Sequence, residues 1–482
     1  MRAWSRMDWP SSQNPLDNER RLAQIYNQHT ALLPEEAQMS VTHHGTTIVP
    51  VAPAVCPVNH AEIDLFADGS QEWWFDAYKV LREQCPVIKL PGQGRLPGAD
   101  AYILTKYEDI ARVARDGSLT FGREDQEAQG NGNSPLQAEV FKEAGFGDAF
   151  DAQRHLRGSE EQAIRYRRLV TDPWVNTGAS RHREMITRVA NELVDRWVSA
   201  GEVEFVRGFA APLPQTVITT ILGLPLEDMP TLRKWEEAQV RRFVYGYGVK
   251  SEMSPEDEVE NARELVEFNA YLGEQIRRKR QSPASDMISY LTQVELDGHK
   301  FTDADITSVA LLMHIGGNET TQYALTAEAM LLAQNPELVR ELRADRQKVR
   351  FFVEEALRLY SPTQGLTART ARVDIEVSGV TIPRGSLMHL RFGSGNRDPE
   401  RYPDPEQIDL SRPHAGQHLT FSHGPRSCPG AGLSRVEQNI AVNVLLDRLE
   451  TVELDVAKND FQHQPGIMLG LYHLDLTFTP RT

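Results

Sequence analysis

Apolar positions along most of the chain recur at helical spacing. In "RHREMITRVANELVDRWVSAG", Met185, Val189, Leu193 and Trp197 fall on one stripe, and the run stops at Gly201. "ARELVEFNAYLGEQIRRKR" has the same period and gathers basic residues in its last turn, where they oppose the negative end of the helix dipole. The longest run opens with "FTDAD": Thr302 and Asp305 form a capping-box pattern, and the apolar period continues to about Gln334, with Pro336 just beyond. This spacing predicts one helix long enough to cross the whole protein. Its middle, "GGNETT" from Gly316 to Thr321, forms helix poorly, since each glycine costs about 1 kcal/mol relative to alanine. The pattern predicts an opening of the helical ladder there, where something approaches the backbone beside the acid Glu319 and the hydroxyl of Thr320.

Period-two alternation shows most clearly in "RVDIEVSGVTIPRGSLMHLRF". Val373, Ile375 and Val377 alternate with polar residues, and Ser378-Gly379 marks a turn. Residues 1–60 show little helical period and several prolines, as in "TTIVPVAPAVCPV"; they read as an N-terminal arm before a main domain over 61–482. Trp4 and Trp9 are expected to pack that arm on the body rather than on a membrane. "QEAQGNGNSP", residues 126–135, reads as a flexible loop, and no internal repeat is present. Many helices, a few short strand signals and no βαβ alternation predict a mainly α fold with small β-sheets.

Composition narrows the function class. Among 482 residues, 40% are hydrophobic and 25% charged, an ordinary globular balance. The net charge of −16 argues against nucleic-acid binding, which needs clustered positive charge. No apolar run reaches the length of a transmembrane segment, and "MRAWSRMDWPSSQNP" lacks the apolar stretch of a signal peptide, so a soluble cytoplasmic protein is expected. Three cysteines, Cys56, Cys85 and Cys428, make no disulfide framework.

Cys428 stands in "FSHGPRSCPG", residues 421–430, directly before the helical pattern "AGLSRVEQNIAVNVLLDRLE". Gly424 and Gly430 allow sharp turns or close approach, and Pro425 and Pro429 stiffen the loop. A helix N-terminus aimed at the sulfur favours thiolate. With no CxxC or histidine partner nearby, a metal held here needs its other ligands from elsewhere, and a haem macrocycle would supply four. Arg426 would then meet a haem propionate.

The loop resembles the F-x-x-G-x-R-x-C-x-G haem-binding loop of the cytochrome P450 monooxygenases at every defining position. "EALR", Glu355 to Arg358, resembles the family's E-x-x-R motif, about seventy residues before the cysteine. Taken alone, such a pair on a helix is more often a solvated ion pair. "GGNETT" resembles the oxygen-activating segment, "GNRDPERYPDPEQIDLSRP" the stretch before the haem loop, and "RYRRLV" the C helix. All occur in family order, and the resemblance covers the chain from about residue 60.

The resemblance implies the cytochrome P450 fold, a large helical part and a smaller β-rich part with haem b (iron protoporphyrin IX) between them. It makes Cys428 the thiolate ligand of the haem iron, Phe421 the aromatic beside it, and Gly430 part of the cofactor loop. Arg167, Arg369 and Arg426 match propionate-binding positions, and Glu319 and Thr320 match the acid–alcohol pair that relays protons during oxygen activation. Leu312, Met313, Gly316, Gln364, Gly365, Ile467 and Met468 are the expected substrate-pocket residues, whereas His314 is expected to point away from Thr320 as a satisfied packing or hydrogen-bonding histidine. Three features depart from the family. Ala163 stands where a propionate-binding histidine is common, the segment between Phe121 and Arg167 is long, and the N-terminal extension has no obvious family counterpart.

The implied activity is hydroxylation or oxidative dealkylation of a medium-sized hydrophobic small molecule with dioxygen. The alternative is a non-oxygenating thiolate-haem ligand binder or isomerase, which would have no use for the acid–alcohol pair. About fifty residues follow Gly430, so the NAD(P)H-derived electrons are expected from a separate ferredoxin and ferredoxin reductase. Arg165, Arg168 and Arg435 are expected to form part of a basic docking patch that offsets the chain's negative charge, with Arg167 turned inward.

Overall fold

The capping box at Thr302 forms as the sequence predicts. In the computed structural model the Asp305 N–H donates to Thr302 Oγ1 (3.2 Å), and the Thr302 N–H donates to the Asp305 carboxylate (2.8 Å). A cap of this kind stabilises the helix start by about 1 kcal/mol. The helix runs over Asp303–Gln334 and ends at Asn335, because Pro336 disfavours helical backbone at the residue before it. It spans about 48 Å at 1.5 Å per residue. Buried residues occur all around it, as in a helix enclosed by its neighbours.

The opening expected at "GGNETT" is absent: helix is continuous from Asp303 to Gln334. Packing compensates for the poor local propensity. A Cβ on Gly317 would come within 3.3 Å of Ile218 on an adjacent helix, so glycine here permits close helix–helix approach. The Thr320 hydroxyl donates to the Gly316 carbonyl of its own helix (3.1 Å).

The structure describes residues 63–481 except 68, 95–97, 121–134, 148–155, 158, 245, 248, 249, 252, 366, 367, 465 and 467. The expected N-terminal arm (1–60), Cys56, Ile467 and nearly all of the 126–135 loop lie outside the described residues. The fold is mainly helical with small sheets. The helices used below are α1 (Trp74–Gln84), α2 (Tyr107–Arg115), α3 (Glu160–Val170), α4 (Arg183–Asp195) and α5 (Pro212–Leu222). They continue with α6 (Met229–Val244), α7 (Pro255–Gln281), α8 (the long helix, Asp303–Gln334), α9 (Val349–Leu359) and α10 (Ala431–Arg448). Helix α8 packs against α5, α6, α7, α9 and α10.

One sheet has β1 (Val87–Leu90) antiparallel to β2 (Ala101–Leu104) and β2 parallel to β7 (Leu387–Leu390). Strand β7 is in turn antiparallel to β4 (Ala368–Thr370). A second sheet has the order β8 (Leu449–Leu454), β9 (Asp475–Pro480), β3 (Glu202–Glu204). The expected hairpin joins β5 (Ile375–Val377) to β6 (Val380–Ile382). Ser378 and Gly379 both have positive φ (46° and 77°), the signature of a type I′ turn. Ile375, Val377 and Ile382 are buried, but Val373 is exposed and precedes the strand, so the alternation extends one step too far in the sequence reading.

Helix α9 carries two adjacent acids with different partners. Glu355 and Arg358 are fully buried, not solvated, and pair through two bonds of 2.8 and 3.0 Å. Glu355 also accepts from Arg412 Nε (3.0 Å) and the Asp409 N–H (3.0 Å), while Arg358 donates to the carbonyls of Asn396, Pro405 and Gln407. Glu354 accepts two bonds from Arg435 on α10 (2.6 and 2.9 Å) and lies 3.1 Å from His418 Nε2. Burial alone would raise the Glu354 carboxyl, but His418 and Arg435 outweigh it and hold the group at about 2.

Two predictions follow from these pairs. Arg358→Ala leaves a buried carboxylate and several carbonyls unpaired, so the urea unfolding midpoint should drop by the equivalent of about 3–5 kcal/mol. Arg165→Ala, on the exposed surface, should leave the midpoint nearly unchanged. Glu354 binds its proton more weakly folded than unfolded, so its contribution is fully present above about pH 4.5 and lost as the pH falls through about 2. Glu354→Gln should therefore lower stability at neutral pH and flatten the acid side of the stability profile. An acid limb as steep as that of wild type would show that other carboxyls set it.

Candidate active site

The cysteine loop is fixed by its own backbone and by what lies behind it. The Cys428 N–H donates to the Phe421 carbonyl (2.7 Å), and the Ser427 N–H to Gly424 O (3.1 Å). Gly424 has φ 70°, and a Cβ there would sit 2.5 Å from Ala114 O at the end of α2. Gly430 begins α10 with an ordinary φ of −84°, and its Cβ would touch nothing closer than Cys428 Sγ at 3.9 Å. The stricter demand falls on Gly432, where a Cβ would meet Asn176 O at 2.5 Å. The sequence reading weighed Gly430 and missed Gly432, whose constraint comes from a distant segment.

Burial pushes the Cys428 thiol up, opposed by the Gly430 and Ala431 N–H groups at the start of α10 and by the charges of Arg167 and Arg435. The helix N-terminus and the two arginines thus oppose the cost of a thiolate there. Phe421 lies between the Arg435 guanidinium, 4.5 Å from its ring centre, and the His418 ring at 5.6 Å. Cys85 differs: its thiol lies 3.4 Å from Val87 O, and burial raises it without any opposing charge.

Basic groups gather beside the loop. Arg167 turns inward from α3 as expected and donates to Ser427 O (2.8 Å), Ser427 Oγ (3.0 Å) and Cys428 O (3.4 Å). Arg369 is buried on β4. Arg157, which the sequence reading passed over, stacks on the Tyr166 ring at 5.2 Å. Burial, and then repulsion from Arg426 and Arg167, pull its guanidinium below the usual value. Arg157 lies within electrostatic reach of Arg426 and Arg167, and a ligand bringing its own carboxylates would offset that repulsion. The chemistry of this donor set therefore suits haem. Ala163 is buried where the family often has histidine, and Arg157 supplies a cation nearby.

On α8, Leu312, Gly316 and Thr320 recur every fourth residue, and none is buried. A Cβ on Gly316 would find no atom within 4 Å, so this face of the helix borders open space. Glu319 lies beside it. Burial raises its carboxyl, partly offset by a hydrogen bond with Tyr323. Met313 packs against the core at the edge of this stripe. Met468 is brought beside Thr363 by a β-bridge, and Leu469 N–H donates to Pro362 O (2.8 Å).

Three expectations need correction. Gln364 is fully buried and turned toward Gly393, whose Cβ would lie 1.8 Å from its Oε1; it does not line an open space. Gly365 backs onto Arg391, with a would-be Cβ 3.0 Å from Arg391 Cδ, so its glycine serves packing. His314 is buried edge-on to Phe268 (5.5 Å), but neither ring nitrogen has a hydrogen-bond partner among the described residues, and burial lowers it to about 4. The packing half of the expectation holds, and among the described residues the hydrogen-bonding half does not.

The expected docking patch is also largely neutralised. Arg165 pairs with Glu161 (2.8 Å) and Asp297 (2.9 Å), and Arg435 is held by Glu354. Arg168 is exposed and has no ion-pair partner among the described residues. Asp297 lies 132 positions from Arg165, so no local reading of the sequence would have joined them.

Comparison with known proteins gives these features a common origin. Residues 254–478 match the family model described as Cytochrome P450. Cytochrome P450 107B1 of Saccharopolyspora erythraea is 28% identical over 84% of this chain and 94% of its own length. The cyclomarin C epoxidase CymV of Salinispora arenicola is 33% identical over 59% of this chain and 70% of its own. The crystal structure of P450BioI with an acyl carrier protein bearing hexadec-9Z-enoic acid aligns with a TM-score of 0.71 and 27% identity, covering 85% of this chain and 99% of that one. Among the described residues no helix is long and apolar enough to cross a membrane. The chain belongs to the cytochrome P450 family and is a haem-iron monooxygenase.

Proposed function

We propose that the protein uses dioxygen and two electrons to hydroxylate, or oxidatively dealkylate, a medium-sized hydrophobic small molecule. For hydroxylation the balance is one C–H bond converted to C–OH, with the second oxygen atom leaving as water after taking up two protons. The observation that carries this reading is the open stripe of Leu312, Gly316 and Thr320 with a burial-raised acid, Glu319, next to it. A helix face bordered by apolar groups accepts an apolar substrate, and an acid beside a hydroxyl can pass protons.

In this reading Cys428 would supply the thiolate to the haem iron, from the loop that Gly430 closes and Phe421 flanks. Arg157, Arg167, Arg369 and Arg426 would hold the cofactor's carboxylates. When bound, a thiolate-ligated haem supplies the electron transfer and oxygen chemistry. Glu319 holds the proton, and the Thr320 hydroxyl, which turns away from Gly316 O to do so, hands it on. Leu312, Met313 and Met468 contact the substrate. The neighbour solved with a fatty-acyl-loaded carrier protein supports a hydrophobic substrate class. We assign the electrons to a separate ferredoxin with an NAD(P)H-linked reductase, and the protein to the cytoplasm.

Two variants test these roles. The reduced carbon monoxide complex of the holoenzyme should absorb at the wavelength typical of thiolate ligation. Cys428→His should abolish that band and Cys85→Ser should keep it; persistence in Cys428→His would sink the assignment. Thr320→Ala should keep the band but divert dioxygen to hydrogen peroxide, raising the peroxide released per dioxygen consumed several-fold, roughly in line with the loss of one positioned proton carrier. A wild-type peroxide yield would mean that another group carries the proton.

A further inference from the structure

Glu319 is held by residues that the motif does not contain. Tyr323 lies one turn further along α8 and is buried. Its Oη is 2.5 Å from Glu319 Oε1 and 2.9 Å from Gln464 Oε1. Gln464 belongs to a loop closed on itself: its N–H donates to Gly470 O (2.7 Å), and His463 bridges to Leu471. The same loop carries Met468, which pairs with Thr363. Tyr323 touches the loop a second time through its ring. A Cβ on Gly470 would lie 2.1 Å from the ring, so glycine is required there for the tyrosine to fit.

The hydrogens can be counted. A phenol has one hydrogen to donate and here stands between two oxygens. Gln464 Oε1 brings no hydrogen, and neither does an ionised carboxylate. With Gln464 Oε1 facing the phenol, both contacts are hydrogen bonds at once when the second hydrogen comes from Glu319 as the neutral acid. Glu319 then donates to Tyr323 Oη, and Tyr323 donates to Gln464 Oε1. Rotating the Gln464 amide would instead make Gln464 the donor to Tyr323 and leave Tyr323 to donate to Glu319.

We propose that Tyr323 is a positioning residue that fixes the Glu319 carboxyl on α8 and ties it to the loop at Gln464. The surroundings favour the neutral acid. The charged group acting on Glu319 from α6 is Glu237, of the same sign, and Tyr323 faces the acid Glu236 on α6 and Tyr472 from the loop side. Glu236 is itself buried and accepts a hydrogen bond from Asn318.

This proposal rests on the reading of Glu319 as the proton donor, and the test separates the two. Holoenzyme is prepared as wild type, Glu319→Gln, Tyr323→Phe and Gln464→Leu. Phenylalanine keeps the ring that Gly470 accommodates, and thermal unfolding of each variant checks folding. The first readout is the infrared carbonyl stretch of protonated carboxyl groups near pH 7, with the Glu319 band identified as the one lost in Glu319→Gln. The band should be present in wild type and move to higher frequency in Tyr323→Phe, where its hydrogen bond is gone. In Gln464→Leu it should titrate away at lower pH, because the phenol is freed to donate to the carboxylate. The second readout is the rate at which chemically reduced holoenzyme, mixed with air-saturated H2O or D2O buffer, returns to its oxidised spectrum. Loss of the acid should slow this about tenfold, and loss of its positioning about threefold with a changed solvent isotope effect. If Glu319→Gln slows the return but Tyr323→Phe matches wild type in both readouts, the proposal is overturned. Absence of a Glu319 band in wild type overturns it equally. If Glu319→Gln leaves the rate unchanged, the donor reading fails, and the band shift in Tyr323→Phe still reports whether the tyrosine holds the acid.

Discussion

The carboxylate of Glu355 is the point on which the thiol side of the molecule depends. It is fully buried and shared by Arg358, Arg412 and the Asp409 N–H. Through Arg358 it also fixes the carbonyls of Asn396, Pro405 and Gln407. That stretch is mostly turns, with no sheet to register it, so a charge held by bidentate and backbone bonds does the work of a ladder. Asn396 in turn accepts from the Leu419 N–H (2.6 Å) and donates to Thr420 Oγ1 (3.0 Å), and Thr420 donates to Leu357 O on α9 (2.7 Å). The next residue is Phe421, whose carbonyl receives the Cys428 N–H. The position of the sulfur is thus set by bonds that begin on α9.

Much of the fold was legible because its signals are local. The cap at Thr302 and the Ser378-Gly379 turn each depend on residues within a few positions, whereas the helix expected to stop at Gly201 ends at Asp195, before a short 3-10 turn. The thiol loop was legible because a ten-residue pattern specifies it. What the sequence hid is non-local. Propensity at "GGNETT" argued for an opened helix, but packing against Ile218 on α5 keeps the backbone helical. The E-x-x-R pair alone would pass for a surface ion pair, and only the segment 396–412 folding over it makes it buried. Gln364 seemed a pocket residue from its place after α9, and the missing side chain at Gly393 draws it the other way. Arg157 carries no motif, and its approach to Arg426 joins positions far apart in the chain.

The same distinction governs charge. The formal −16 counts every carboxyl as ionised. Glu236, Glu328 and Glu437 are buried, and their carboxyls are raised well above the usual range by desolvation. Glu328 has no hydrogen-bond partner for either oxygen among the described residues. Such groups hold protons where exposed acids do not, so the surface is less negative than the count. A basic patch matters most where the whole chain would repel an acidic partner. Part of that repulsion disappears with the buried acids, and Arg165 and Arg435 are engaged by Glu161, Asp297 and Glu354. Positive charge on this side is therefore local: of Arg165, Arg168 and Arg435, Arg168 is the one exposed without an ion-pair partner among the described residues.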